Sequence, residues 1–233
     1  MKIKLFADGA NLNEIRELSN DEKISGFTTN PTLMRKAGIN DYVKFAVEAI
    51  KIVKDLPISL EVFSDDLQVM EKQALELSRL GDNVYVKIPV TNTKGESTGP
   101  IIKSLSEKKV KLNVTAVFTT EQVEKVVSCL HEGVPSIISV FAGRIADTGV
   151  DPVPHMKKCK KAIEKHQMCE LLWASPREVL NLYQAEECQC DIITATPAIL
   201  AKYEKLASKD LEEYSIETVK MFYNDAKAAG YKL

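Results

Sequence analysis

A lysine stands near the end of the stretch Val84-Tyr85-Val86-Lys87-Ile88-Pro89-Val90, which is otherwise apolar and stopped by a proline. Rich in β-branched residues, the run reads as a short buried strand. Loss of water around an ammonium favours the neutral amine, which can attack a carbonyl and form a Schiff base. One isolated lysine more commonly snorkels or pairs with a carboxylate, so the chemistry depends on its company. Glu61, Asn113 and Thr115 also lie inside apolar runs, where an unpaired polar group costs several kcal/mol. Asp8, Asn30, Ser139, Phe141, Arg144, Ser175 and Arg177 stand at or just beyond the ends of similar runs. A lysine, two carboxylates and several amides and hydroxyls suit imine chemistry at a polyhydroxylated carbonyl compound. The lysine forms the imine, a carboxylate moves protons, and the amides and hydroxyls hold substrate hydroxyls. Arg144 and Arg177 suit a phosphate dianion through forked hydrogen bonds, against the plainer alternative of surface ion pairs.

These residues need elements to gather them. Strands are expected at Ile3–Asp8, Lys23–Phe27, Ile58–Phe63, Val84–Ile88, Leu112–Val117, Ser136–Phe141, Glu170–Ala174 and Asp191–Thr194. Helical segments are expected between them. Val43, Ala46, Val47 and Ile50 share one helix face, Ser64-Asp65-Asp66 and Thr119-Thr120-Glu121 read as caps, and Gly81 as a stop. Pro176 is expected in the first turn of the helix after strand seven, and the stretch through Gly149-Val150-Asp151-Pro152 is expected to be a long loop. A further amphipathic helix is expected from Leu211 to Ala229. Eight strands alternating with helices predict a closed parallel (β/α)8 barrel, residues 1–206, followed by a C-terminal helical extension, 207–233. An open doubly wound sheet usually carries a glycine-rich phosphate loop after strand one, where this chain reads Asp8-Gly9-Ala10-Asn11. In a (β/α)8 barrel the active site lies at the C-terminal ends of the strands, which is where the candidate residues fall.

The chain has 233 residues, enough for one large domain with a substantial core. Its 31 basic and 33 acidic residues nearly balance, with no long single-sign run, so nothing calls for nucleic acid or an anionic membrane. No apolar run is long enough for a membrane span. Five scattered cysteines (Cys129, Cys159, Cys169, Cys188 and Cys190) suit reduced thiols, and with no signal or transit pattern the expected location is cytoplasmic. Cys188 and Cys190 lack a second ligand pair at metal spacing and read as strand residues rather than metal ligands.

The motifs Phe6-Ala7-Asp8-Gly9-Ala10, Gly26-Phe27-Thr28-Thr29-Asn30-Pro31-Thr32-Leu33, Val86-Lys87-Ile88-Pro89, Asn113-Val114-Thr115-Ala116, Ser139-Val140-Phe141-Ala142-Gly143-Arg144-Ile145 and Ala174-Ser175-Pro176-Arg177 occur in this order. Together they resemble the transaldolases, specifically the short single-barrel members related to fructose-6-phosphate aldolase, over roughly residues 3–205. The resemblance implies that Lys87 is the Schiff-base lysine and that Asp8 takes the C4-hydroxyl proton as the C3–C4 bond breaks. It implies that Glu61 and Thr115 shuttle protons with a bound water. Asn30, Asn113 and Ser139 hold the dihydroxyacetone unit, and Arg144, Ser175 and Arg177 bind phosphate. No cofactor or metal is implied.

In the aldolase branch of the family the positions of Glu61, Ser139 and Phe141 typically hold glutamine, alanine and tyrosine. Phe141 cannot donate a proton to the carbanionic intermediate, so the resemblance favours transfer to an acceptor over release of free dihydroxyacetone. The alternatives are an aldolase-type lyase and a catalytically silent phosphosugar-binding protein. Gly9 departs from the family, which usually has threonine there. Oligomers, commonly pentamers or decamers, are also implied, with Val219 and Phe222 at a contact between copies.

Overall fold

A computed structural model describes residues 2–232. Eight parallel strands pair in sequence order and β1 pairs with β8, which closes the barrel. They are β1 (Lys4–Asp8), β2 (Ile24–Thr28), β3 (Ile58–Glu61), β4 (Val84–Pro89), β5 (Leu112–Val117), β6 (Ser136–Val140), β7 (Cys169–Trp173) and β8 (Ile192–Ala195). The expected (β/α)8 barrel is the observed fold. Among the described residues there are eleven helices: α1 (Leu12–Leu18), α2 (Pro31–Lys36), α3 (Tyr42–Val53), α4 (Leu67–Ser78), α5 (Gly99–Glu107), α6 (Thr120–Val127), α7 (Ala142–Asp147), α8 (Pro152–Ile163), α9 (Leu180–Glu187), α10 (Pro197–Leu206) and α11 (Leu211–Ala229).

The caps act as the sequence suggests. Asp66 accepts from the backbone N–H groups of Gln68 and Val69, and Thr119 with Gln122 forms a reciprocal capping box. The barrel core includes Phe6, Ile137, Leu172, Ala174 and Ile192, with Tyr85 and Phe141 packed against it. Phe6 needs the missing side chain of Gly26, because a Cβ there would come within 2.5 Å of the Phe6 ring.

Some details differ from expectation. Two six-residue helices, α2 and α7, occupy stretches without an expected helix, including the start of the long loop after β6. Pro176 does not open a helix: α9 begins at Leu180, and the N–H groups of Arg177 and Glu178 instead bond to the Asn181 side chain at 2.7 and 3.2 Å. Cys188 and Cys190 are not strand residues. They flank the turn between α9 and β8, and both are buried free thiols.

The chain separates into a compact unit ending at Leu200 and a second beginning at Ala201. In the second unit, α11 is capped by Asp210 and carries exposed Tyr214, Ile216, Val219, Met221, Phe222 and Tyr223. No helix among the described residues is long and apolar enough to cross a membrane, and no group of three or more His, Cys, Asp or Glu residues there could hold a metal ion.

Candidate active site

A cavity of about 560 Å3 opens at the C-terminal ends of the strands. Its wall includes ten of the eleven expected site residues: Asp8, Asn30, Glu61, Lys87, Thr115, Ser139, Phe141, Arg144, Ser175 and Arg177. Asn113 is the exception. It is fully buried, donates to Ser59 Oγ at 2.9 Å and accepts from Ser139 Oγ at 2.7 Å. Its amide supports Ser139 from behind the wall.

Strand register sets the centre. Glu61 of β3 lies beside Lys87 of β4, which in turn lies beside Asn113 of β5. Lys87 is only 6 % exposed. Its Nζ lies 3.3 Å from Glu61 Oε2 and donates to the Thr29 carbonyl at 3.0 Å. The lysine is therefore both buried in its strand and paired with a carboxylate, so the two arrangements considered for it coexist. The Glu61 backbone is anchored in turn, because Tyr42 of α3 donates its hydroxyl to the Glu61 carbonyl at 2.7 Å. Burial pushes the Tyr42 phenol up and keeps it protonated.

Asp8 ends β1 and pairs in register with Thr28 of β2, whose hydroxyl donates to Asp8 Oδ1 at 2.8 Å. Burial pushes the Asp8 carboxyl above its usual range, against the opposing pull of Lys87 and the Thr28 hydrogen bond. Gly9 sits beside it with room to spare: a Cβ there would meet only Glu14 Oε2, at 3.9 Å. Asn30 caps α2 by accepting from the Leu33 N–H at 2.9 Å, which leaves its amide donors for a ligand. Thr115 lines the wall, and its buried Oγ1 has no hydrogen-bond partner among the described residues.

The rim is built where β6 and β7 end. Phe141 is the residue just before α7, its ring tilted against Phe118 at 5.6 Å with the Arg144 guanidinium 5.3 Å from its centre. Ser175 holds a left-handed backbone at φ 59°, a costly conformation for a residue with a Cβ. Gly143 lets α7 approach it closely, since a Cβ there would lie 1.6 Å from the Ser175 carbonyl oxygen. Arg177 bonds to Asp147 through Nε and Nη2, so the ion pair weighed for the arginines does form at this one while it still lines the cavity.

Sequence reasoning passed over several wall residues: Lys36, Phe118 and Thr194, together with Thr28 as an Asp8 partner. The Asn30-Pro31 pair carried a usable signal for α2, a cap followed by proline at the first helical position. That helix brings Lys36 to the rim, so four cations and two carboxylates line the cavity. Such a surface suits an anionic ligand that also bears hydroxyl groups.

Fold and site define a (β/α)8-barrel protein with a buried lysine–carboxylate centre at the C-terminal rim. Residues 5–233 match the family described as Transaldolase/Fructose-6-phosphate aldolase, and the chain belongs to that family. It is 32 % identical over 221 residues to a probable transaldolase of Brucella ovis, covering 94 % of this chain and 97 % of that one. It is 33 % identical over 232 residues to a probable transaldolase of a Thermoanaerobacter species, covering 99 % and 100 %. Among solved structures, N-acetylneuraminate lyase from Mycoplasma synoviae superimposes with a TM-score of 0.56 at 13 % identity, over 97 % of this chain and 82 % of that one. KGPDC from Streptococcus mutans gives 0.57 at 13 % identity, over 85 % and 90 %. These two likenesses concern the barrel alone.

Proposed function

We infer that this chain is a transaldolase needing no cofactor, which moves a dihydroxyacetone unit from sedoheptulose 7-phosphate or fructose 6-phosphate to an aldose phosphate. The observation that carries this reading is Lys87, buried at the cavity wall with Glu61 3.3 Å from its amine. Lys87 Nζ adds to the keto carbon of the donor. Glu61 and Thr115, with a water, pass a proton to the departing hydroxyl, which leaves as water and yields the iminium. Asp8 then takes the C4-hydroxyl proton. The C3–C4 bond breaks, its electron pair runs into the iminium to give the enamine, and the first aldose phosphate departs. Attack of the enamine on a second aldehyde reverses these steps, and hydrolysis frees the new ketose. Asn30 and Ser139 hold the three-carbon unit with Asn113 behind them, while Arg144, Ser175 and Arg177 take the phosphate.

Borohydride reduction in the presence of a ketose phosphate should fix a three-carbon adduct on Lys87. No adduct, or one that survives Lys87→Ala, sinks the assignment. A lyase releasing free dihydroxyacetone is the second reading, favoured by the family description, which joins both activities. Many turnovers of fructose 6-phosphate without an acceptor aldehyde would establish the lyase. Phe141, with no proton to give, supports transfer.

The substrates make the non-oxidative pentose phosphate pathway the proposed setting, and five unpaired cysteines suit a reducing cytoplasm. The apolar residues of α11, with Val219 63 % and Phe222 62 % exposed, support a homo-oligomer. Sedimentation at micromolar concentration tests that state, and a monomer refutes it.

A further inference from the structure

Thr194 has no role in the steps above, yet it stands at one end of a buried row of hydroxyls that leads to Asp8. It belongs to β8, whose register with β1 sets it beside Phe6, two residues below Asp8 on the same strand. Thr194 Oγ1 lies 2.5 Å from Thr28 Oγ1, which lies 2.8 Å from Asp8 Oδ1. Both threonines are nearly inaccessible to solvent and both line the cavity.

Each hydroxyl has one proton. With Asp8 ionised, Thr28 gives its proton to Oδ1, so the proton between the two threonines must come from Thr194. When Asp8 Oδ1 is protonated it becomes the donor, Thr28 turns its proton toward Thr194, and the row reverses. Aligned hydroxyls polarise one another, so the donation reaching Asp8 is stronger with Thr194 in place than with Thr28 alone.

We propose that Thr194 is a positioning residue of Asp8, acting through Thr28 to hold Oδ1 and leave Oδ2 as the oxygen that takes the substrate proton. The role as base rests on the transaldolase reading; the hydroxyl row does not. Charged groups that share the cavity with Asp8 are Lys87 of β4, Glu61 of β3, Lys36 of α2, Arg144 of α7 and Arg177 after β7, and Glu14 of α1 lies beside Gly9. None is removed by a substitution at Thr194. The Thr28 hydrogen bond favours the carboxylate, so weakening it raises the pH at which Asp8 loses its proton.

Carbon-13 NMR of aspartate carboxyls, with the Asp8 signal identified by its loss in Asp8→Asn, measures this without turnover. In Thr194→Val and Thr194→Ala the Asp8 midpoint should rise by roughly half a pH unit or more, and Thr194→Ser should restore it. The acid limb of kcat/KM should rise by the same amount. An unchanged midpoint in the Val and Ala variants, or an equal shift in the Ser variant, overturns the proposal. So does slower turnover with an unmoved acid limb, which marks Thr194 as merely structural. Failure of the wild-type protein to form any Lys87 adduct defeats the transaldolase reading instead, while the titration still judges the row.

Discussion

Arg177 meets Asp147 with one edge of its guanidinium: Nε lies 2.9 and 3.1 Å from the two carboxylate oxygens and Nη2 joins the same group. The Nη1 side has no carboxylate on it among the described ion pairs, so the fork that remains can face a phosphate. Asp147 lies one helical turn after Arg144 on α7, and the Arg177 hydrogen bond holds its carboxyl below the usual range. Asp147 is an anion near a proposed anion site, so it both orients Arg177 and opposes the ligand. Solvent at the half-exposed rim screens the repulsion, whereas the hydrogen-bond geometry is lost outright when the carboxylate goes. Orientation should win. Asp147→Ala is expected to raise KM for a phosphorylated acceptor about two- to five-fold with kcat little changed, leaving KM for unphosphorylated glyceraldehyde as it was. Steady-state kinetics with the two acceptors checks this, and an equal change for both refutes it.

Phe141 sits half-buried at the mouth, tilted on Phe118 beneath the Arg144 guanidinium. Its ring has no proton to give, so in the proposed transfer reaction it would leave the enamine unprotonated. Phe141→Tyr should raise acceptor-independent cleavage of fructose 6-phosphate by roughly tenfold or more, because a positioned acid accelerates proton transfer by at least that amount. The readout is free dihydroxyacetone in a reaction without added aldehyde. Unchanged release would mean that another group controls proton delivery.

The barrel was legible because the chain repeats eight times a short, largely apolar run followed by a helical stretch, several of those helices opened by a capping residue. Residues inside those runs, such as Lys87 and Glu61, stand out because polar groups are costly there. The short helices were not legible. Six residues make less than two turns, too few to display a periodic apolar face, and α7 contains Gly143, which reads as a loop residue. Lys36 at the rim and Asp147 as the partner of Arg177 were lost with them. Thr194 was hidden for a different reason. A threonine in a strand is ordinary by propensity, and only the closure of β8 onto β1 brings it to Thr28. Asn113 shares strand parity with Thr115, but parity cannot tell a wall residue from one tied down behind it by Ser59 and Ser139.

Gly143 makes a sharp test of the rim. The atom that an added Cβ would strike is the Ser175 backbone oxygen, 1.6 Å away, and backbone cannot rotate aside as a side chain can. Gly143→Ala must therefore push α7 off the end of β7, moving Arg144 away from Ser175 and Arg177. A loss of about 3 kcal/mol or more in unfolding free energy is expected, read from a urea melt. A melt within about 0.5 kcal/mol of wild type would show that α7 is free to shift without cost.

Asp8 links the site to stability. Burial is the largest influence on its carboxyl and raises its pKa in the folded protein above the ordinary 3.8. Between 3.8 and the raised value the native state holds more protons at Asp8 than the unfolded chain does. The slope of unfolding free energy with pH is then negative, so Asp8 costs stability as pH rises through this window, and the full cost is present once the pH is above the raised value. Asparagine at this position is uncharged, close to the same shape and still accepts the Thr28 hydrogen bond. Asp8→Asn should therefore stabilise the protein at pH 7 by on the order of 1 kcal/mol while abolishing turnover. The gain should shrink as pH falls toward 3.8, where wild-type Asp8 is protonated in the folded state and carries no buried charge. Thermal melts of the two proteins across that range measure the difference. A gain that stays constant with pH would trace the stabilisation to packing, and a destabilised variant at neutral pH would mean that attraction to Lys87 outweighs the cost of burying the carboxylate.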